Sequence, residues 1–177
     1  MAETRQKDTK AEQAERSRAA QKKREERRQE PREQWVSFKL GRELYALKAL
    51  HVQEILKSGD ISPVPGAEHF VLGVINLRGN IVTVVDTCKR FGLSRPESDT
   101  IQQIIVVEAD DQTLGLQVDD VTEVIDIRPS EVEAAPQFES DQVARHIQGV
   151  VRRDRNLVVL VDVRRLMPQR SEKQAAV

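Results

Sequence analysis

The sequence predicts an all-β protein built from two similar modules that share a core. Three observations carry this. Across the 177 residues, Val and Ile together number 32 against 13 Leu, and β-branched side chains suit a pleated, half-buried surface. Short apolar runs recur at roughly 8–12-residue spacing between turn signals, the pattern of a barrel or sandwich. The two halves repeat similar residues in the same order, as a degenerate internal repeat.

The elements follow in chain order. Trp35-Val36-Ser37-Phe38-Lys39-Leu40 alternates, with the even positions apolar, as in a half-buried strand. Gly41-Arg42-Glu43 turns the chain into Leu44–Leu47, a hairpin signal. The spacing of apolar residues in Ala49–Leu56 predicts one helical turn. Strands are expected at Val71–Leu77, Ile81–Val85, Ile104–Glu108, Thr113–Val118, Glu123–Ile127, Gly149–Val151 and Leu157–Val161. Arg78-Gly79-Asn80 and Arg153–Asn156 sit between paired runs as turns. Asp141–Ile147 is a second candidate turn of helix. Val163–Met167 is a third, ended by Pro168.

The repeat organises these elements. With an offset of 69, Tyr45-Ala46-Leu47 meets Leu114-Gly115-Leu116, and Val52-Gln53-Glu54-Ile55-Leu56 meets Val121-Thr122-Glu123-Val124-Ile125. The spacing from Ile61 to Pro65 recurs from Val132 to Pro136. Gly73-Val74 precedes Asp86 as Gly149-Val150 precedes Asp162, each Gly lying 13 residues before its Asp. The modules run near 36–92 and 105–168, joined by the polar linker Ser94–Asp99. A unit that small has a marginal core alone, so the two are expected to fold as one cooperative body.

Residues 1–34 are different. They contain no Val, Ile, Leu, Phe, Tyr or Trp and carry 11 basic and 8 acidic residues. Such a segment cannot bury enough apolar surface to offset its ordering entropy. A solvated, fraying helix or a disordered tail is expected, with Glu12 and Arg16 placed to pair one turn apart. The cluster Lys22-Lys23-Arg24 with Arg27-Arg28 is interrupted by Glu25, Glu26 and Glu30. Residues 169–177 form a short tail. No apolar run reaches a membrane span and no apolar leader is visible, so a cytoplasmic protein without direct membrane insertion is expected.

Catalytic constellations are missing from the sequence. It contains no phosphate-binding glycine loop, zinc-binding His pair or nucleophile elbow. His51, His69 and His146 are isolated, and the single Cys, Cys88, reads as a packed core thiol. Asp110-Asp111 and Asp119-Asp120 read as turn or cap residues. Asp86 and Asp162, equivalent in the two modules, read as scaffold residues that satisfy backbone donors. No cofactor, metal or catalytic residue is predicted. Nucleic-acid binding would need a basic face with stacking aromatics, and the chain has one Trp, one Tyr and four Phe. Arg78, at a tip between apolar runs, reads either as a solvated residue or as an anchor for a partner carboxylate. Glu54, among Val52, Ile55 and Leu56, reads as a complementary charge on an apolar patch.

These residues carry a family resemblance. Phe38-x-Leu40-Gly41-x-Glu43-x-Tyr45-Ala46-Leu47, Val52-Gln53-Glu54-Ile55-Leu56, Val64-Pro65, Gly73-Val74-Ile75-Asn76-Leu77-Arg78-Gly79 and Val84-Val85-Asp86 stand in order. Ile104–Glu108, Leu114-Gly115-Leu116-x-Val118-Asp119, Val121-x-x-Val124 and Gly149-Val150 continue the series. Over about residues 35–168 the sequence resembles CheW, the coupling-protein family of bacterial chemotaxis. The resemblance implies two interleaved SH3-like five-stranded β-barrels and no enzyme activity. It implies an adaptor between chemoreceptors and the histidine kinase CheA, recruited to membrane-associated receptor arrays. Its partners would be the kinase's regulatory domain, the receptor's cytoplasmic tip and other CheW-like domains in the array. Carried over by residue, Val52, Glu54 and Ile55 contact kinase or receptor. Asn76, Leu77, Arg78 and Gly79 form a tip whose Arg matters for function. Val121 and Val124 line a groove for the receptor tip. Cys88 departs from the family pattern, and the resemblance does not reach residues 1–34. A small β-barrel that binds nucleic acid or a ligand, and an unnoticed hydrolase, are the readings from other classes.

Overall fold

The computed structural model describes residues 16–26, 28–94, 102–135 and 144–168. The alternating segment becomes β1 (Glu33–Leu40), which turns at Gly41-Arg42 into β2 (Glu43–Lys48). A 3-10 turn, Ala49–His51, leads into β3 (Val52–Lys57). The hairpin β4 (Val71–Leu77) and β5 (Asn80–Asp86) follows, and a short helix, Thr87–Arg90, closes the first repeat. The second repeat runs β6 (Gln103–Ala109), β7 (Gln112–Val118), β8 (Asp120–Ile127), β9 (Ile147–Arg153) and β10 (Asn156–Val161). It ends in the short helix Val163–Leu166.

The expected helical turn over Ala49–Leu56 is corrected. Only Ala49–His51 is helical, and Val52–Lys57 is a strand paired with β6. Of the candidate turn at 141–147, residues 141–143 lie outside the described residues; Ala144 is helical, Arg145 and His146 form a turn, and Ile147 opens β9. Residues 95–99 of the expected linker, residues 169–177, and Glu12 with its expected pairing are also outside them.

The strands assemble by exchange between the repeats. One sheet has the order β8-β1-β2-β10-β9 and the other β3-β6-β7-β5-β4. Each takes two strands from one repeat and three from the other, at equivalent places. Sequence-adjacent strands pair antiparallel, whereas β10 with β2 and β5 with β7 run parallel. These are two interleaved five-stranded units of the SH3-like kind.

Three apolar clusters result. Trp35, Ala46, Ile127, Val151, Val158 and Leu160 fill the first sheet's interior. Val82, Val84, Ile104 and Val106 fill the second. The largest cluster lies between them and draws on both, with Phe38, Tyr45 and Leu47 against Phe91, Ile105, Leu116 and Val161. Phe38, Tyr45 and Phe91 pack ring to ring, with centroids 6.0 and 5.7 Å apart. Sharing this cluster is what makes the two sheets one body.

Repeated glycines and aspartates have structural causes. After β3, Ser62 forms a two-bond bridge with Val74 of β4, and after β8 Glu133 forms the same bridge with Val150 of β9. These bridges lie beside Gly73 and Gly149, where the crossing backbone leaves no room for a side chain. Asp86 and Asp162 each donate their backbone N–H to a carbonyl, of Phe70 and His146, and each caps the following helix with its carboxylate. The scaffold reading of these two residues holds.

The N-terminal segment meets the sheet at one place. Residues 16–26 are helical and exposed, with Lys22 and Glu26 paired at 4.0 Å. Glu30 accepts the Ser130 N–H at 3.2 Å, and Arg32 lies 4.0 Å from Asp126 on β8. Glu33 and Gln34 extend the β1–β8 ladder. Removing residues 1–29 should therefore shift the melting temperature by no more than about 2 °C, since about 1 kcal/mol corresponds to 2–4 °C at this size. Calorimetry of the truncated chain checks this; a loss above about 5 °C would show that the segment packs on the sheets.

Candidate functional site

The edge strands β3 and β8 carry the repeated Val-x-x-Ile and Val-x-x-Val motifs. In an ordinary strand, residues three apart point to opposite faces. Here each strand has an irregularity. Between Val52 and Glu54 two residues of β3 match one step of β6, and between Val121 and Val124 three residues of β8 match two of β1. A bulge adds one residue and re-aims the side chains beyond it. The added residue restores Val52 and Ile55, and Val121 and Val124, to a common side of their strands.

Val52 and Val121 are half-buried against the shared central cluster. Ile55 and Val124 are exposed, at 41% and 58%. Each sheet thus offers one apolar edge that starts at the junction and runs outward. Cross-sheet hydrogen bonds hold the junction: the Val121 N–H donates to Gln103 Oε1 at 2.6 Å, and Gly41 N–H donates to Asp119 Oδ2 at 2.6 Å.

The β4–β5 tip is a two-residue turn. Arg78 and Gly79 both have positive φ, 52° and 89°, as a hairpin turn matched to strand twist requires. Gly79 takes this conformation freely, and Asn76 Oδ1 accepts its N–H at 2.8 Å. Leu77 packs on the inner cluster of its sheet and fixes the tip. Arginine is a poor choice for a left-handed position, which costs an ordinary residue about 1 kcal/mol. Its side chain is 79% exposed, yet its guanidinium stands 3.0 Å from the Glu54 carboxylate on β3. β3 and β4 are opposite edges of one sheet, so this ion pair joins the two edges. The structure therefore brings Glu54 to Arg78 and places Ile55 next in the strand. The sequence reading missed Ile81, 68% exposed beside the tip, and its repeat equivalent Leu157, 46% exposed. Both are second residues of strands that follow a hairpin tip, a signal the repeat offset of 76 would have supplied.

His69 is exposed, its ring edge-on to Phe70, whereas the other groups that could bear acid–base or nucleophilic chemistry are engaged by the framework. His51 Nδ1 donates to the Glu108 carbonyl and His146 Nδ1 to the Arg165 carbonyl. Burial, and then the nearby Arg90, hold the His146 imidazolium below its ordinary range. Tyr45 is pushed up by burial and by the hydrogen bond it donates to Glu43, so it stays protonated. Cys88 is buried in the central cluster. Asp110 and Asp111 form the β6–β7 turn. Among the described residues no group of three His, Cys, Asp or Glu side chains is placed to hold a metal, and no helix is long and apolar enough to cross a membrane.

What this geometry defines is a scaffold: exposed apolar edges and a cross-edge ion pair on a rigid double-sheet frame. Known proteins agree. The CheW-like domain family model matches residues 34–171. The chemotaxis protein CheW of Treponema pallidum is 30% identical over 81% of this chain and 86% of its own. That of Thermotoga maritima is 31% identical over 78% and 90%. The crystal structure of the scaffolding protein TtCheW from Thermoanaerobacter tengcongensis superposes with a TM-score of 0.71 at 33% identity, covering 79% of this chain and 90% of that one. The chain belongs to the CheW family and is a chemotaxis scaffold protein.

Proposed function

We propose that this protein couples chemoreceptors to a CheA-type histidine kinase without catalysing a reaction. The observation that carries the reading is the pair of bulged edge strands, which set Val52, Ile55, Val121 and Val124 as apolar stripes running from one shared junction. An amphipathic helix, such as the receptor's cytoplasmic tip, presents apolar residues at three- and four-residue spacing and suits such a surface. The tip of Asn76, Leu77, Arg78 and Gly79, with Glu54, is the contact for the kinase regulatory domain or for another CheW-like domain in an array. In this reading the protein works in the cytoplasm, recruited to membrane-associated receptors. Signal passes as a shift in kinase population, through unequal affinity for its states.

The test uses Arg78. Its ion pair is exposed and contributes at most about 1 kcal/mol to folding. Arg78→Asn keeps a residue that accepts positive φ and removes the guanidinium. It should melt with the parent, within the roughly 0.5 kcal/mol usual for surface changes. Affinity for the kinase regulatory domain should fall about 30-fold, the loss of some 2 kcal/mol seen at hot-spot arginines. Arg78→Lys should recover only part, because the planar fork is gone. Isothermal titration of both variants against kinase domain and receptor fragments decides it. Unchanged binding to both partners removes Arg78 from the interface.

A further inference from the structure

The two repeats place the same element at the same point of each sheet, yet one place is filled and the other is open. In the first repeat the helix after β5 sets Thr87 and Cys88 at 0% and 1% exposure, with Asp86 and Gln117 beside them at 4% and 6%. At the matching place of the other sheet Arg164 stands where Cys88 stands, two residues after the capping Asp, and Lys48 of β2 stands where Gln117 of β7 stands. Here a cavity of about 390 Å³ opens, bounded by Lys48, Leu50, His51, Gln148 and the helix start 162–165. The fold can fill this place, and here it is left open where Lys48, Leu50 and His51 of the first repeat meet Gln148 and residues 162–165 of the second.

The lining is cationic with one apolar lip. Arg164 is exposed and has no ion-pair partner among the described residues. Lys48 reaches Glu33 at 2.9 Å and lies 5.6 Å from the Trp35 ring, with a quarter of its side chain open. His51 spends Nδ1 on the Glu108 carbonyl, which leaves Nε2. Arg165 is held by Asp162 at 3.3 Å and by the Ile147 carbonyl at 3.2 Å. Asp162 is the acid in the lining, and it is engaged by Arg165 and by the helix N–H. Leu50, at 75%, is the most exposed large apolar residue described.

We propose that this cavity binds an acidic peptide segment of a partner protein, with carboxylates at Arg164 and Lys48 and an aliphatic residue laid on Leu50. The charge selects an anion, because guanidinium and ammonium donors aim at carboxylate. Leu50 separates a peptide from a small anion, since an inorganic ion covers no apolar surface. A volume within the usual 300–1,000 Å³ of binding clefts admits two or three side chains. The site adjoins the start of β3 but shares no residue with the β3 and β8 stripes or the Arg78 tip, and Arg164 lies on another element, so the Arg164 variants test it separately from them.

The experiment selects random twelve-residue displayed peptides on the full chain and counter-selects them on Arg164→Glu. The expected consensus has two or more acidic residues flanking a Leu, Ile or Val. The enriched peptide, made synthetically, should bind Arg164→Glu at least about tenfold more weakly, and Leu50→Ser several-fold more weakly. Its affinity for the parent should fall with salt. Arg164 and Leu50 are exposed, so both variants should melt with the parent, and Arg164→Gln supplies a milder second variant if charge reversal perturbs folding. Failure to enrich peptides sensitive to Arg164 overturns the proposal. So does enrichment of purely apolar peptides, or inorganic phosphate alone raising the parent's melting temperature when no peptide does.

Discussion

Residues 30–94, produced without the second repeat, will not fold. Of the eight strand pairings, four join one repeat to the other: β1 with β8, β2 with β10, β3 with β6 and β5 with β7. Cutting between β5 and β6 leaves the first repeat two isolated hairpins and β3 with no strand beside it. Isolated two-stranded hairpins are marginal in water. The cut also strips Phe38, Tyr45, Leu47 and Phe91 of their partners on β6, β7 and β10. Fully burying such a side chain is worth about 1.5–3 kcal/mol, so four of them rival the 5–15 kcal/mol that stabilises an ordinary domain. The fragment should show no dispersed amide spectrum and no cooperative melt. Mixing it with residues 102–168 should restore both, because the missing strands return. The intact chain should melt in a single transition. A stable, monomeric, well-dispersed first repeat would refute the exchange of strands.

Gly73→Ala should be the most damaging single substitution of a small residue. A Cβ at Gly73 would lie 2.2 Å from the Ser62 carbonyl oxygen and 2.7 Å from its carbon, at a φ of +149°. These two nearest atoms are backbone, with the Ile61 methyl next at 2.9 Å, and the same carbonyl accepts the Val74 N–H at 2.9 Å. Relief requires the bridge to break, which costs both of its backbone hydrogen bonds. The expected loss is about 3 kcal/mol or more, a fall of roughly 6–12 °C in melting temperature for a chain of this size. Gly149→Ala should act in the same direction with less force, since its Cβ would sit 2.7 Å from the Glu133 oxygen and 2.6 Å from a movable Val132 methyl. Gly79→Ala is the control. Its φ is +89° with nothing within 4 Å, so it should lose only about 1 kcal/mol for the left-handed backbone. Equal melting temperatures for Gly73→Ala and Gly79→Ala would remove the close-approach argument.

Most strands were legible because their alternation survives in the chain. Trp35–Leu40 reads as a strand, and it is one. Ala49–Leu56 misleads for a definable reason. Val52, Ile55 and Leu56 sit at helical spacing, but a bulge in a strand yields the same offset of three. The repeat contained the correction. Its partner Val121–Ile125 overlaps an evident strand, and equivalent segments must share a conformation to occupy equivalent places in two sheets. The ion pair of Arg78 with Glu54 was half visible. The sequence marked both residues as site candidates but did not join them to each other, because 24 positions of chain and three intervening strands separate them.

By itself, then, the sequence determined the all-β class, the two modules and the turn residues at the hairpin tips. These are local properties: β-branched content, alternation, and backbone conformations that few residues accept. It also determined that the two halves are alike, since that is a comparison of strings. Tertiary structure alone decided which half supplies which strand. A strand's inward face is satisfied equally by a partner from its own repeat or from the other, so nothing in one module's pattern distinguishes swapping from independence. The same holds for the surface. Whether Arg164 borders a cavity while Cys88, its repeat equivalent, is sealed in the core depends on what packs over each, and that is fixed only when distant segments meet.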